Sequence, residues 1–339
     1  MKKMSINNLK MGTALARDIF TFDGQLLLVK GTVITQEHLD GFRNRGVTDL
    51  YVMESSRREE NEQAFAEAYT QSIGVVKTFM TEAKLGSPLS VGEITDTTDL
   101  LYSQVFDQND LFRQMRLMKD KDDYLFTHSI NVSLLCILIG RWLKHDKETI
   151  RKLGIAGLIH DIGKVLIDDG ILNKPDAFSD QEYEEMKKHT TLGYEILMAS
   201  EIENEIALAA LMHHERLDGS GYPNRTKGTG NLFASAVAVA DVYDAITSTR
   251  VYSTKSSPFT AAEILWEESF GHLDPRISKI FYDKVTNFYV GNQVKLSDGR
   301  TGLVVFINPS QPTKPIVQIG DEFIDLYQQR DIIILEIID

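Results

Sequence analysis

The sequence predicts a mainly α fold: a long helical body between a small α/β N-terminal segment and a small all-β C-terminal segment. Two patterns and one magnitude carry that expectation. Apolar residues through the middle of the chain recur near the helical period, as in Ile206, Ala210 and the His213–His214 pair. From Gly291 the period changes to alternation, as in Gln293-Val-Lys-Leu. A chain of 339 residues, 42% hydrophobic and 25% charged, is too long for one ordinary core and too apolar for disorder.

In chain order, Phe22-Asp23-Gly24-Gln25 reads as a hairpin turn, followed by a strand over Gln25–Lys30. Thr35 is placed to cap a helix over Gln36–Gly46, and Val47–Met53 reads as a strand. Residues 54–84 turn charged and helical, and the acidic stretch Lys84–Thr98 reads as a connector or capped approach. The helical body then runs from Thr98 to Tyr289, with Ser179-Asp-Gln-Glu182 as a capping box. Beyond it, Ser297-Asp-Gly-Arg300 is a turn and Thr301–Ile307 a strand. Pro309, Pro312 and Pro315 mark a loop, and Ile316–Ile319 and Asp331–Ile337 read as further strands. The expected division is 1–98, 99–289 and 290–339.

Charge narrows the function classes. With 36 Lys+Arg against 49 Asp+Glu, the net charge of −13 opposes the basic footprint that duplex nucleic acid requires. A small anionic ligand stays open, because a few cations or metal ions can reverse the field inside one pocket. The only cysteine, Cys136, cannot form an internal disulfide, which fits a reducing, cytoplasmic setting. The most apolar run, Ser129–Gly140, falls short of the ~20 residues needed to span a bilayer. The N-terminal stretch lacks the apolar region of a signal peptide. No membrane insertion is expected.

The histidines are concentrated. His128, His160, His189, His213 and His214 fall in the helical body, where Asp161 and Asp241 supply carboxylates. A lone histidine on a helix is ordinarily a satisfied core residue. The pairs His160-Asp161 and His213-His214, however, sit at the ends of apolar helices, where buried polar groups need partners. Imidazole and carboxylate together suit first-row ions such as Fe, Mn, Zn or Co.

His160-Asp161-Ile-Gly-Lys164 resembles the signature of the HD superfamily of metal-dependent phosphohydrolases. His213-His-Glu-Arg-Leu-Asp-Gly-Ser-Gly-Tyr-Pro223 resembles the longer motif of its HD-GYP subgroup. The longer motif carries the discrimination, since a His-Asp dipeptide also occurs by chance at His145-Asp146. The resemblance covers residues 105–288. It implies an HD-type helical catalytic domain whose metal cluster hydrolyses cyclic di-GMP to linear pGpG, with GMP as the product of a second cut. It also implies that His128, His160, Asp161 and Asp241 hold one ion, and that Asp161 bridges to a second held by His189, His213 and His214. Two divalent transition-metal ions, iron or manganese, are therefore the expected cofactors. Seven ligands suffice for two ions if one carboxylate bridges, and such a pair can activate water and clamp a phosphodiester. The alternatives are a phosphodiesterase for cyclic GMP-AMP, or a catalytically weak receptor for a cyclic dinucleotide. A homodimer or a regulatory protein partner is compatible with either.

Four further residues are candidates beside an anionic substrate. Lys164, on the His160 face of a continuing helix, would stabilise phosphate charge. Asp244, sharing a face with Asp241, would orient Lys164 or a water, and Arg250 would contact phosphate. Tyr222, in the Gly219–Pro223 loop, would touch the substrate. Two departures stand out. Tyr124 occupies the position where some family members place a glutamate for a third ion, which argues for two ions here. Thr249-Arg-Val-Tyr-Ser253 lacks the proline and final cation of the family pattern, a role left to Lys255.

Overall fold

A computed structural model of the chain describes residues 2–9, 11–20, 26–44, 47–52, 55–105, 111–118, 124–228, 230–248 and 256–338. The Phe22–Gln25 turn, Gly46, Met53, Arg250 and Lys255 lie outside the described residues. The chain divides into two compact units, Met1–Phe65 with Val285–Asp339, and Ala66–Lys284.

In the first unit, β1 (Lys2–Ser5) pairs antiparallel with β4 (Asp49–Val52), and β2 (Ile19–Phe20) with β3 (Leu26–Leu28). Between them α1 (Gln36–Asn44) lays Leu39 and Phe42 onto a core of Ile6, Leu15, Ile34, Leu50 and Val52. The C-terminal part is one antiparallel sheet of β5 (Gln293–Leu296), β6 (Thr301–Asn308), β7 (Gln311–Ile319), β8 (Glu322–Asp325) and β9 (Ile334–Ile338), in the order β8-β7-β6-β5-β9. The strand β7 begins at Gln311, so Pro312 and Pro315 stand inside it and not in the expected loop. The β6–β7 register shifts between Val304 and Phe306 and again between Phe306 and Asn308. Proline, which has no N–H to donate, is tolerated beside such bulges.

The second unit is helical. After α2 (Ser55–Lys84), which begins in the first unit, come α3 (Val91–Gln104), α4 (Leu111–Leu117), α5 (Tyr124–Trp142) and α6 (Lys147–Ile159). A 3-10 turn, Ile162–Leu166, leads to α7 (Asp169–Leu172), α8 (Asp180–Lys187), α9 (His189–Ala199) and α10 (Asn204–Met212). The helices α11 (Leu232–Thr247), α12 (Pro258–Glu268) and α13 (Pro275–Val285) complete it. Of the two readings of the stretch before Thr98, the capped approach holds: Ser90 caps α3 by accepting from the Glu93 N–H. Ser179 and Glu182 form both halves of the capping box on α8.

At the centre lies α5, buried on every side from Thr127 to Gly140 and packed against α6 and α11. A helix apolar all round belongs in a core or a membrane. Among the described residues α5 alone is long and apolar enough to cross a bilayer, and 78% of its apolar window is buried.

Candidate metal centre

Helix ends assemble the site. His128 comes from the N-terminal part of α5, where its burial begins, and Asp241 from α11. His160 closes α6, and Asp161 opens the 3-10 turn that follows. His189 is the first residue of α9, while His213 caps the C-terminus of α10 with His214 next to it. The turn and α9 approach closely because position 163 is glycine. A Cβ there would stand 2.0 Å from the His189 carbonyl oxygen and 2.4 Å from the Gly193 nitrogen. That contact sets Asp161 against His189.

Asp161 stands between two histidine groups. Its Oδ2 lies 3.3 Å from His160 Nε2 and 3.6 Å from His128 Nε2. Its Oδ1 lies 3.5 Å from His189 Nε2 and 3.7 Å from His213 Nε2. His128 Nε2 also meets Asp241 Oδ1 at 3.1 Å. Ligand atoms of His128, His160 and Asp161 fall within 4.8 Å of one another, as do those of His189, His213 and His214. All seven residues expected as ligands thus converge on one place.

Two of the inner atoms, His160 Nε2 and Asp161 Oδ1, lack protein partners, whereas the outer ring nitrogens have them. His160 Nδ1 lies 2.8 Å from the Gly157 carbonyl, His189 Nδ1 2.7 Å from that of Met186, and His213 Nδ1 2.9 Å from that of Ala210. A carbonyl only accepts, so each Nδ1 carries the hydrogen and each Nε2 points inward with a lone pair. His189 Nε2 and His213 Nε2 then face each other at 3.4 Å as two acceptors. His160 Nε2 and Asp161 Oδ1 are buried with no hydrogen-bond partner. A divalent cation satisfies such a donor set, and these residues fit one.

Electrostatics agree. Burial pushes His189 down to about 4 and His214 to about 3, and holds His213 well below the ordinary imidazole range. These rings are neutral at pH 7, as ligation requires. His128 is different. Burial alone would lower it, but its bonds to Asp241 and Asp244 raise it well above the usual value. Burial would also raise Asp161, yet His160 and Lys164 hold its carboxyl well below the carboxylate range.

Lys164 does not continue a helix from His160, as expected, but turns to Asp161. The α-helix ends before Asp161, and the 3-10 turn brings Lys164 Nζ 2.5 Å from Asp161 Oδ2. Asp244 does not face Lys164. It is buried behind His128, with Oδ2 2.8 Å from Nδ1 of that ring and Oδ1 accepting from Asn131 Nδ2 at 2.9 Å. Tyr222 stacks on His214 with centroids 4.6 Å apart. Tyr124 stacks on His128 at 5.8 Å. Arg250 lies outside the described residues.

Three features went unnoticed in the sequence. Glu215 is buried and accepts from the N–H groups of Asn224 and Thr226, closing the loop that carries Tyr222. Gly221 lies so close to this hairpin that a Cβ would stand 2.3 Å from the His214 carbonyl oxygen. Beside them, Lys187 Nζ lies 4.5 Å from the Tyr183 ring centroid and 5.6 Å from that of Tyr222. An acidic residue beside two histidines, and glycines two apart, were the available signals for the first two; the third joins residues on separate elements.

Comparison with known proteins bears on this geometry. Residues 113–277 match the family model of the HD domain. The chain is 34% identical over 228 residues to the cyclic di-GMP phosphodiesterase PA4108 of Pseudomonas aeruginosa, covering 66% of this chain and 54% of that protein. It is 36% identical over 171 residues to the cyclic di-GMP phosphodiesterase response regulator RpfG of Xanthomonas campestris, covering 49% and 45%. It is 33% identical over 171 residues to the 3'3'-cGAMP-specific phosphodiesterase 1 of Vibrio cholerae, covering 50% and 40%. The chain therefore spans about half the length of the curated relatives it matches. Among solved structures, an HDG"Y"P protein of Bdellovibrio bacteriovorus, Bd1817, shares the fold. Its TM-score is 0.53 at 16% identity, over 83% of this chain and 98% of that one.

Proposed function

We propose, from the match of residues 113–277 to the HD domain family model, that the chain is a metal-dependent phosphodiesterase that hydrolyses cyclic di-GMP. The observation that carries the reading is Asp161, whose two oxygens are turned to two separate histidine groups. One carboxylate shared between two ions is the economical way for seven ligands to hold a pair. The names of the relatives from P. aeruginosa and X. campestris support the substrate.

His128, His160, Asp161 and Asp241 would hold one ion, and Asp161, His189, His213 and His214 the other; iron or manganese suits the set. Two divalent ions bound there supply Lewis acidity and an activated water for in-line attack on phosphorus. The chain's own groups do the rest. Asp161 fixes the spacing of the two halves. Lys164, beside Asp161, places a cation where phosphate charge develops in the transition state. Tyr222, on His214, forms the wall against which the dinucleotide rests. Water oxygen bonds to phosphorus as the P–O3′ bond breaks, the leaving 3′-oxygen takes up a proton, and linear pGpG results; a second cut gives GMP.

The V. cholerae relative favours one second reading, cleavage of cyclic GMP-AMP. The rest of the proposal is a cytoplasmic setting, which the buried free thiol of Cys136 fits, and regulation through residues 1–98 and 290–339. Turnover assays with Mn²⁺ or Fe²⁺ test the reading. Linear pGpG from cyclic di-GMP is expected. Cleavage of cyclic GMP-AMP with cyclic di-GMP spared would favour the second reading, and tight binding without product would make the chain a receptor.

A further inference from the structure

Among the proposed ligand rings His128, His160, His189 and His213, three are held at Nδ1 by carbonyls of their own local chain. His128 is the exception. Its Nδ1 is held by the side chain of Asp244, from another helix. The orientation of this one ring therefore depends on whatever holds Asp244. Asn131, next to His128 on α5, donates from Nδ2 to Asp244 Oδ1 at 2.9 Å. Asn131 Oδ1 in turn accepts from the Tyr69 hydroxyl at 2.8 Å. Tyr69 is fully buried on α2, well before the residues that match the HD domain, and its hydroxyl also reaches the Thr127 carbonyl at 3.3 Å.

We propose that Tyr69 is a positioning residue that orients His128 as a metal ligand through Asn131 and Asp244. A carboxylate only accepts, so the Asn131 NH₂ must face Asp244 and its carbonyl oxygen must face away. That oxygen, buried, needs a donor, and the Tyr69 hydroxyl supplies one. With both ends of the amide matched, it cannot turn over without setting its oxygen against the carboxylate. Asp244 thus keeps one oxygen for the His128 Nδ1–H, and Nε2 is left to face Asp161 and Asp241. Burial, reinforced by the Asp244 charge, keeps the Tyr69 hydroxyl protonated. Phenylalanine would fill the same space without the donor.

This inference rests on the metal reading above, and the test separates the two. Mn²⁺ binding to metal-free full-length chain is measured by calorimetric titration in wild type, Tyr69→Phe and Asn131→Ala. Each is repeated with His214→Ala, which weakens the other half. Residues that touch a ligand directly change metal affinity by about 10–100-fold. Tyr69→Phe, two links further out, should weaken the ion at the His128 half by roughly three- to tenfold. The His189 half should be unchanged, while the metal-free unfolding midpoint falls modestly because the buried Asn131 Oδ1 loses its donor. Asn131→Ala, one link nearer, should weaken the same ion at least as much, and it carries the test if Tyr69→Phe does not fold. Unchanged affinity in both variants overturns the proposal, as does equal weakening at both halves together with a lowered midpoint. A wild-type chain that binds no Mn²⁺ overturns the metal reading and this inference with it.

Discussion

His189 Nε2 and His213 Nε2 stand 3.4 Å apart, each ring tied by its Nδ1 to a main-chain carbonyl. Neither ring can turn its hydrogen inward without abandoning that carbonyl. The pair is therefore two lone pairs held face to face, a geometry that a cation relieves and a proton relieves only at a cost in desolvation.

That geometry gives the metal-free protein a pH dependence with a definite sign. Unfolded imidazoles take up protons near ~6.5. Folded, His189 does so at about 4, His214 at about 3 and His213 well below the ordinary range, because of burial. Between those values the unfolded chain binds more protons, so stability present above ~6.5 is lost as pH falls through about 4 and 3. His128 acts oppositely: its raised value contributes stability that is lost as pH rises through it. Three rings oppose one. Urea unfolding of chelator-treated protein should show a lower midpoint near pH ~5 than near ~7.5. An equal or higher midpoint at the acidic value would contradict this.

Asp161→Ala should abolish turnover and strip most bound metal, since the residue faces both halves. Elemental analysis of the purified variant checks it. A variant that retains wild-type stoichiometry would remove Asp161 from the bridge.

Lys164→Met should keep both ions and lose activity, by about 2–4 kcal/mol of transition-state stabilisation if Nζ meets the developing phosphate charge. The readout is kcat at saturating substrate beside measured metal content. Unaltered kcat would make Lys164 only a partner of Asp161.

Glu215→Gln should destabilise the chain by roughly 1.5–3 kcal/mol, because a buried charged acceptor of the Asn224 and Thr226 N–H groups is replaced by an amide with one acceptor fewer. Urea unfolding measures this, and a change below ~0.5 kcal/mol would show that the loop is held by other contacts.

Much of this was legible in the sequence, for reasons that can be named. The His160-Asp161 and His213-His214 pairs were visible because polar side chains adjoin at the ends of apolar helices, and the resemblance to the HD-GYP subgroup supplied the rest of the proposed ligand set. The capping box at Ser179 was visible because capping is local chemistry. The route by which Lys164 reaches Asp161 was not, because the helix gives way to a 3-10 turn only where Gly163 meets the backbone of His189 and Gly193. The contact of Asp244 with His128 was not legible for a similar reason: a helix face is local, whereas that contact depends on how α5 and α11 pack. The prolines of β7 misled because proline signals a loop unless bulges in the partner strand, invisible in sequence, accommodate it.

The central claim is a pair of ions bridged by Asp161 that cleaves cyclic di-GMP. Metal content and turnover measured on the same anaerobically purified, full-length sample test it most directly. Two ions per chain and release of linear pGpG are predicted; Tyr124, whose phenol beside His128 is a poor substitute for a carboxylate, argues against a third. A ratio near one or three, or full loading with cyclic di-GMP left intact, would contradict the account.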